Sequence, residues 1–199
     1  MSMFHAILIL ATVLLTYADE PGPFNHIVSR IEADLNKDRV PDIIIVSQDT
    51  LHDLSPYRVQ IFFRKPDGSR KLIVTADSAI IPQYPNGKKG YREGNEFYNI
   101  TVKNGVVSIN QGLLRGHFEH KYRFQNGNFE LIGYTDGYSD GRGCIYTIDF
   151  NLSTGVRFER KEGYSEEGTL EYNIRKKVFI RPLPRLQHIT PFSIEHELY

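Results

Sequence analysis

The feature that most constrains this chain is the spacing of its turn signals. From residue 98 onward they return at short intervals, as Lys103-Asn104-Gly105, Gln125-Asn126-Gly127-Asn128 and Asn151-Leu152-Ser153-Thr154-Gly155. An Asn-Gly pair accepts the left-handed backbone that a tight hairpin turn demands, and the stretches between the turns are rich in β-branched and aromatic residues. The expected hairpins are residues 98–102 with 106–110, 117–124 with 129–134, 144–150 with 156–161, and 170–174 with 177–180. Upstream, Lys65-Pro66-Asp67-Gly68-Ser69 turns strand 57–64 back into strand 71–74, because proline presets one φ and glycine takes the left-handed one. No helical period is sustained between these turns. The expected fold is mainly β, a single domain of antiparallel hairpins in a meander over residues 19–199, with up to about ten short strands. Nothing repeats at a fixed period, which argues against a full propeller of similar blades.

Composition agrees with this and narrows the partners. Twelve Tyr, twelve Phe, sixteen Gly and ten Pro with no Trp suit strands and turns. Lys+Arg and Asp+Glu both number 24, so no net field draws the chain toward nucleic acid or an anionic membrane. The one cysteine, Cys144, excludes an intramolecular disulfide and is expected to be a small buried hydrophobe.

Residues 6–15 form an unbroken apolar or small run, and the chain turns polar at Asp19-Glu20-Pro21-Gly22-Pro23. Ten residues rise about 15 Å as a helix, against a hydrocarbon core of roughly 30 Å, so the run is too short to span a bilayer comfortably. Thr16-Tyr17-Ala18 places small residues where a signal peptidase reads. The segment 1–18 is therefore expected to be a secretory signal peptide cleaved near Ala18, although it carries no Lys or Arg. A periplasmic or extracellular location follows, with no stable membrane span in the mature chain.

One stretch suggests specific chemistry. Asp34-Leu35-Asn36-Lys37-Asp38-Arg39-Val40-Pro41-Asp42 carries oxygen side chains at alternate positions and leads straight into the apolar run Ile43-Ile44-Ile45-Val46. Asp34, Asn36 and Asp38 hold the first, third and fifth positions of a calcium loop, Val40 offers its carbonyl at the seventh, and Asp42 stands at the ninth. A hard cation takes six to eight oxygens, and three carboxylates this close repel one another without one. Lys37 and Arg39 stand where such loops carry glycine, and Ile45 replaces the usual bidentate Glu. The alternative is an Asp/Asn turn partly neutralised by those two cations.

The segment resembles the Asp-Leu-Asn-Gly-Asp-Gly-x-x-Asp stretch of FG-GAP or VCBS-type repeats. With residues 122–134 and 149–155, the chain looks like uncharacterised bacterial secreted proteins that carry one such loop near their start. The resemblance implies an exported β protein, often calcium-binding in those families, without an established enzymatic activity.

Other constellations are weaker. On a strand, His117 and His120 point to opposite faces, so they cannot share a metal, and Phe118, His120, Tyr122 and Phe124 fall on one face. His120 is then expected to be hydrogen-bonded among aromatic rings. Asp136 to Gly141 reads as a glycine-rich turn. Residues 76–97 form a long Gly-, Pro- and Lys-rich connection with Tyr84 and Tyr91, and loops of that length are commonly functional or mobile, so it is expected to be either a contact surface or a flexible excursion. The sequence reading is a non-catalytic exported binding protein that meets a protein partner through loops, an immunity-type inhibitor being one form. The competing readings are a secreted hydrolase using His52, Asp53, Asp136 or Asp140, and a purely structural surface protein.

Overall fold

The computed structural model describes residues 22–92, 94, 96–164 and 170–193. The segment 1–18, read as a signal peptide, lies outside them. The described residues form eleven strands and one 3-10 turn. In chain order the strands are β1 (His26–Ala33), β2 (Asp42–Gln48), β3 (Tyr57–Arg64), β4 (Arg70–Ala76), β5 (Glu96–Lys103), β6 (Val106–Leu113), β7 (Gly116–Gln125), β8 (Asn128–Ser139), β9 (Cys144–Asn151), β10 (Val156–Gly163) and β11 (Leu170–Lys177). Every pairing between these strands joins sequence neighbours and is antiparallel, in a four-stranded sheet β1-β2-β3-β4 and a seven-stranded sheet running from β11 to β5. The mainly β meander is therefore observed, divided into two sheets. No helix among the described residues is long and apolar enough to cross a membrane.

The turns take the conformations that their residues allow. Asn104 and Gly105 have φ of 53° and 72°, and Asn126 and Gly127 have 53° and 75°, the paired left-handed geometry that follows the twist of a two-residue hairpin. Two of the expected bounds shift. β8 continues through Asp136 to Ser139, so the glycine-rich turn begins only at Asp140. β11 runs unbroken through Lys177 and pairs with β10, which replaces the expected hairpin of 170–174 with 177–180. Arg175-Lys176 offers neither a left-handed residue nor proline, so the strand has no reason to reverse there.

One apolar core joins the sheets. β2 is buried along almost its whole length, as its continuous apolar run requires, and Ile44, Val46, Val59, Ile61 and Val74 supply the inner face of the smaller sheet. Ile109, Phe118, Tyr122, Phe129, Leu131, Tyr134 and Phe150 supply that of the larger. The sheets meet where Phe63 stands edge-on to Phe124 at 4.7 Å and beside Phe129 at 6.2 Å, and where Tyr57 lies 5.4 Å from Phe97. The segment after β11 adds Leu186 and Ile189 to this core; Ser78 Oγ donates to the Ile189 carbonyl, and Leu131 N donates to that of Pro184.

Alternation along β7 is as expected, with Phe118, His120 and Tyr122 buried and His117 exposed. His120 lies among the rings of Phe118, Tyr122 and Tyr134, at 5.2, 6.2 and 5.4 Å. The expected hydrogen bond is not found: neither ring nitrogen meets a partner among the described residues. Burial pushes its pKa down to about 4 from an ordinary 6.5, so the ring is held neutral. Its contribution is complete above the unfolded value and fades as pH falls from 6.5 through 4. Between pH 7 and 4.5 the native chain should lose about 2 to 3 kcal/mol more stability than a His120→Phe variant, measured by denaturant unfolding at both pH values. Equal losses would show that the imidazole is not buried neutral.

Candidate functional site

The connection between β1 and β2 is a tight corner built by its own side chains. The Asp34 carboxylate accepts the N–H groups of Lys37 at 2.6 Å and Arg39 at 3.0 Å. Asn36 Oδ1 accepts Asp38 N at 2.9 Å, while its amide donates to Asp38 Oδ2 at 2.8 Å. Asp38 Oδ1 takes Val40 N at 2.8 Å. These bonds draw Lys37 and Arg39 into the left-handed region, at φ of 68° and 69°. Both residues adopt, at a cost of about 1 kcal/mol each, a conformation that glycine takes freely.

Asp42 has a different position. It is fully buried at the start of β2, and its two oxygens accept Leu35 N at 3.0 Å and Arg64 N at 3.1 Å, tying the corner to β3. Burial raises its pKa, the two backbone donors oppose the rise, and the charges of Asp38 and Asp34 add to it. Leu35 inserts into the common core beside this carboxylate. The donor set is the all-oxygen type that suits a hard cation. As the side chains stand, no three His, Cys, Asp or Glu groups among the described residues converge to hold a metal.

The long connection from β4 to β5 is held much more firmly than its composition suggests. Ala79, Ile80 and Ile81 are core residues. The buried Gln111 of β6 accepts Ile81 N at 2.7 Å and donates to the Ala79 carbonyl at 3.2 Å. Gln83 N and Tyr84 N donate to the carbonyls of Ser55 and Leu54, and the side chain of Gln48 donates to that of Gln83 at 2.8 Å. Asp53 accepts Lys88 N at 3.2 Å, and Lys88 Nζ reaches the Thr50 carbonyl at 2.9 Å. Gly87, at φ of 82°, leaves room for the Asp53 carboxylate, where an added Cβ would collide.

Between this connection and the starts of β3 and β5 lies a pocket of about 330 Å³. Its aromatic walls are Tyr57, Tyr84, Tyr91 and Phe97, and its polar groups are Gln83, Arg92 and Glu96. The Arg92 guanidinium stands 5.0 Å over the Tyr84 ring. Tyr91 is 74% exposed at the rim. Burial raises the Tyr57 hydroxyl pKa, with smaller contributions from Glu96 and Tyr84, which places those groups near one another. The connection was legible as a candidate surface. The contributions of Tyr57 and Glu96 were not, because they arrive from strands distant in sequence.

The acid–base candidates are dispersed. His52 Nδ1 accepts the N–H of Leu54, while Asp53 fastens the long connection. Asp136 is buried in mid-strand, opposite Phe118 and Ile148. Asp140 accepts the N–H groups of Arg142 and Cys144 and has its pKa lowered mainly by them. Cys144 is half-buried rather than enclosed, and its Sγ donates to Glu171 Oε1 at 3.3 Å.

The geometry defines a two-sheet antiparallel β protein with a self-capped acidic corner and a recess at the seam between its sheets. Among known proteins, no family model, no curated protein and no solved structure matches the chain.

If Lys37 and Arg39 hold glycine conformations against their own preference, Lys37→Gly and Arg39→Gly should each stabilise the chain by about 0.5 to 1 kcal/mol, read from denaturant midpoints. A loss of stability in both would mean that their side chains hold the corner together.

Proposed function

We propose that this chain is an exported, non-catalytic binding protein that engages a protein partner at the recess between its sheets. The observation that carries this reading is the β4–β5 connection, a long loop fixed by buried amides and carbonyls, with an aromatic pocket opening beside it. A surface held in place before contact loses less entropy on binding, and the exposed Tyr91 and its neighbour Arg92 are of the residue types that dominate interface energetics. An immunity-type inhibitor of an exported toxin is one form that such a protein takes. The apolar leader and its small-residue site support export to the periplasm or beyond.

In this reading calcium serves the fold and not chemistry. Asp34, Asn36 and Asp38 would hold it through side-chain oxygens, Val40 through its carbonyl, and Asp42 as the remaining carboxylate. The ion would offset the repulsion that Asp34 and Asp38 impose on Asp42. The likeness of the segment to FG-GAP and VCBS loops supports the assignment, as do the left-handed residues at its fourth and sixth positions.

Two measurements test the reading. Thermal unfolding of residues 19–199 should show a midpoint about 5–10 °C higher when calcium is at about a hundred times its dissociation constant than in chelator. An unchanged midpoint at saturating calcium removes the ion from the account. In a pull-down from the native envelope, a partner retained by the wild-type chain should be lost, at least about tenfold, by a Tyr91→Ala, Arg92→Ala double variant with the same melting temperature. Equal retention would place the contact elsewhere.

A further inference from the structure

The outer face of the larger sheet carries a second recess, of about 320 Å³, whose lining residues are distinct from those of the seam pocket. It is centred on Gly137 of β8, which register places opposite His117 of β7 and Thr147 of β9. Gly137 does not have the left-handed backbone that demands glycine. A Cβ there would come within 3.3 Å of His117 Cε1, so the missing side chain is what lets the imidazole lie down over the strand. Glycine in mid-strand commonly marks such a close approach.

The chemistry of the walls is divided. On one side stand Arg115, His117 and the hydroxyl-bearing Thr135, Ser139 and Thr147. Arg115 spends one N–H on the Asp140 carbonyl at a long 3.4 Å, which leaves most of its five donors. On the other side are Ile145 and Tyr164, large apolar groups that remain 42% and 50% exposed. Tyr164 reaches across to the Ser139 hydroxyl. Of the neighbouring acids, Glu119 is bonded to Lys121 and Thr135, Asp140 to backbone N–H groups, and Glu162 to Arg160, while Asp149 is exposed opposite Thr135, at the end of the recess away from Arg115. Asp136 borders the recess from the buried side of β8, the side of Phe118.

A guanidinium, an imidazole and three hydroxyls facing an apolar wall complement an amphipathic anion. Arginine matches carboxylate and phosphate geometry through paired N–H donors, and the exposed Ile145 and Tyr164 gain by covering an apolar body. With zero net charge on the chain, the preference for an anion must arise locally at Arg115. We infer that this recess binds a small organic anion, a carboxylate or phosphate ester on an apolar or aromatic body, with Arg115 taking the charge and Ile145 and Tyr164 the body. It is independent of the protein-binding reading, because neither its residues nor its ligand class are shared with the seam pocket.

The test is titration of the full chain with phenyl phosphate, benzoate, benzyl alcohol and inorganic phosphate, followed through backbone amide resonances. Phenyl phosphate or benzoate should shift Thr135, Ser139 and Thr147, and comparison of the two separates a phosphate from a carboxylate site. Benzyl alcohol and inorganic phosphate, each lacking one half of the ligand, should bind at least about tenfold more weakly. Arg115→Gln should weaken both organic anions about tenfold and leave benzyl alcohol unchanged. Should that variant unfold, Thr147→Val removes a hydroxyl from the same wall and must also weaken the anions. Equal binding of benzyl alcohol, shifts confined to the seam pocket, or no shift with any probe would each overturn the inference.

Discussion

The structure depends on the aromatic seam between its sheets. Phe63 of β3 stands edge-on to Phe124 and beside Phe129, and Tyr57 meets Phe97, so residues from the smaller sheet close over the larger one. Neither sheet could leave its inner face exposed, since each large apolar side chain gains about 1.5 to 3 kcal/mol on burial. Facing the sheets against one another solves this but leaves open edges, which are a hazard for any unclosed sheet. The chain blunts two of them with charge: β11 ends in Arg175-Lys176-Lys177, and β4 begins at Arg70-Lys71.

The seam also sets where the proposed binding surface lies. Among the described residues, the β4–β5 connection carries the chain from the smaller sheet to the larger, so it runs over the junction and brings Tyr84, Tyr91 and Arg92 to the starts of β3 and β5. Of the polar side chains that hold it, Gln48 and Gln111 are buried, and loss of Gln111 would leave Ile81 N and the Ala79 carbonyl unpaired in the core, while the exposed Gln83 accepts the Gln48 amide. The self-capped corner between β1 and β2 stands at the other junction of the same core. It inserts Leu35 and lets Gly105, in the β5–β6 turn of the larger sheet, lie near the Asp34 carbonyl.

Much of this was legible locally. The Asn-Gly turns, the alternation of β7, the doubly buried β2 and the special character of residues 34–42 all follow from interactions between near neighbours in sequence. The division into sheets of four and seven strands was not legible, because every hairpin signal looks alike and only the aromatic contacts decide which strands face each other. His120 was placed correctly among rings, yet its missing partners depend on what stands across the core. Strands 170–174 and 177–180 were expected to be separate, but Arg175-Lys176 continues the ladder, as charged residues on an edge strand can. For the candidate site, the sequence singled out residues 76–97 and omitted Tyr57, Glu96 and Gln111, residues that distant strands bring beside them.

The central claim is that the β4–β5 connection is a preformed surface and not a mobile excursion. Hydrogen exchange of individual amides in the full chain tests this directly, since Ile81, Gln83, Tyr84 and Gly87 all donate bonds within or beneath the connection. These amides are predicted to exchange slowly, at rates within the range of the flanking strands. Exchange as fast as that of an unstructured peptide would contradict the account.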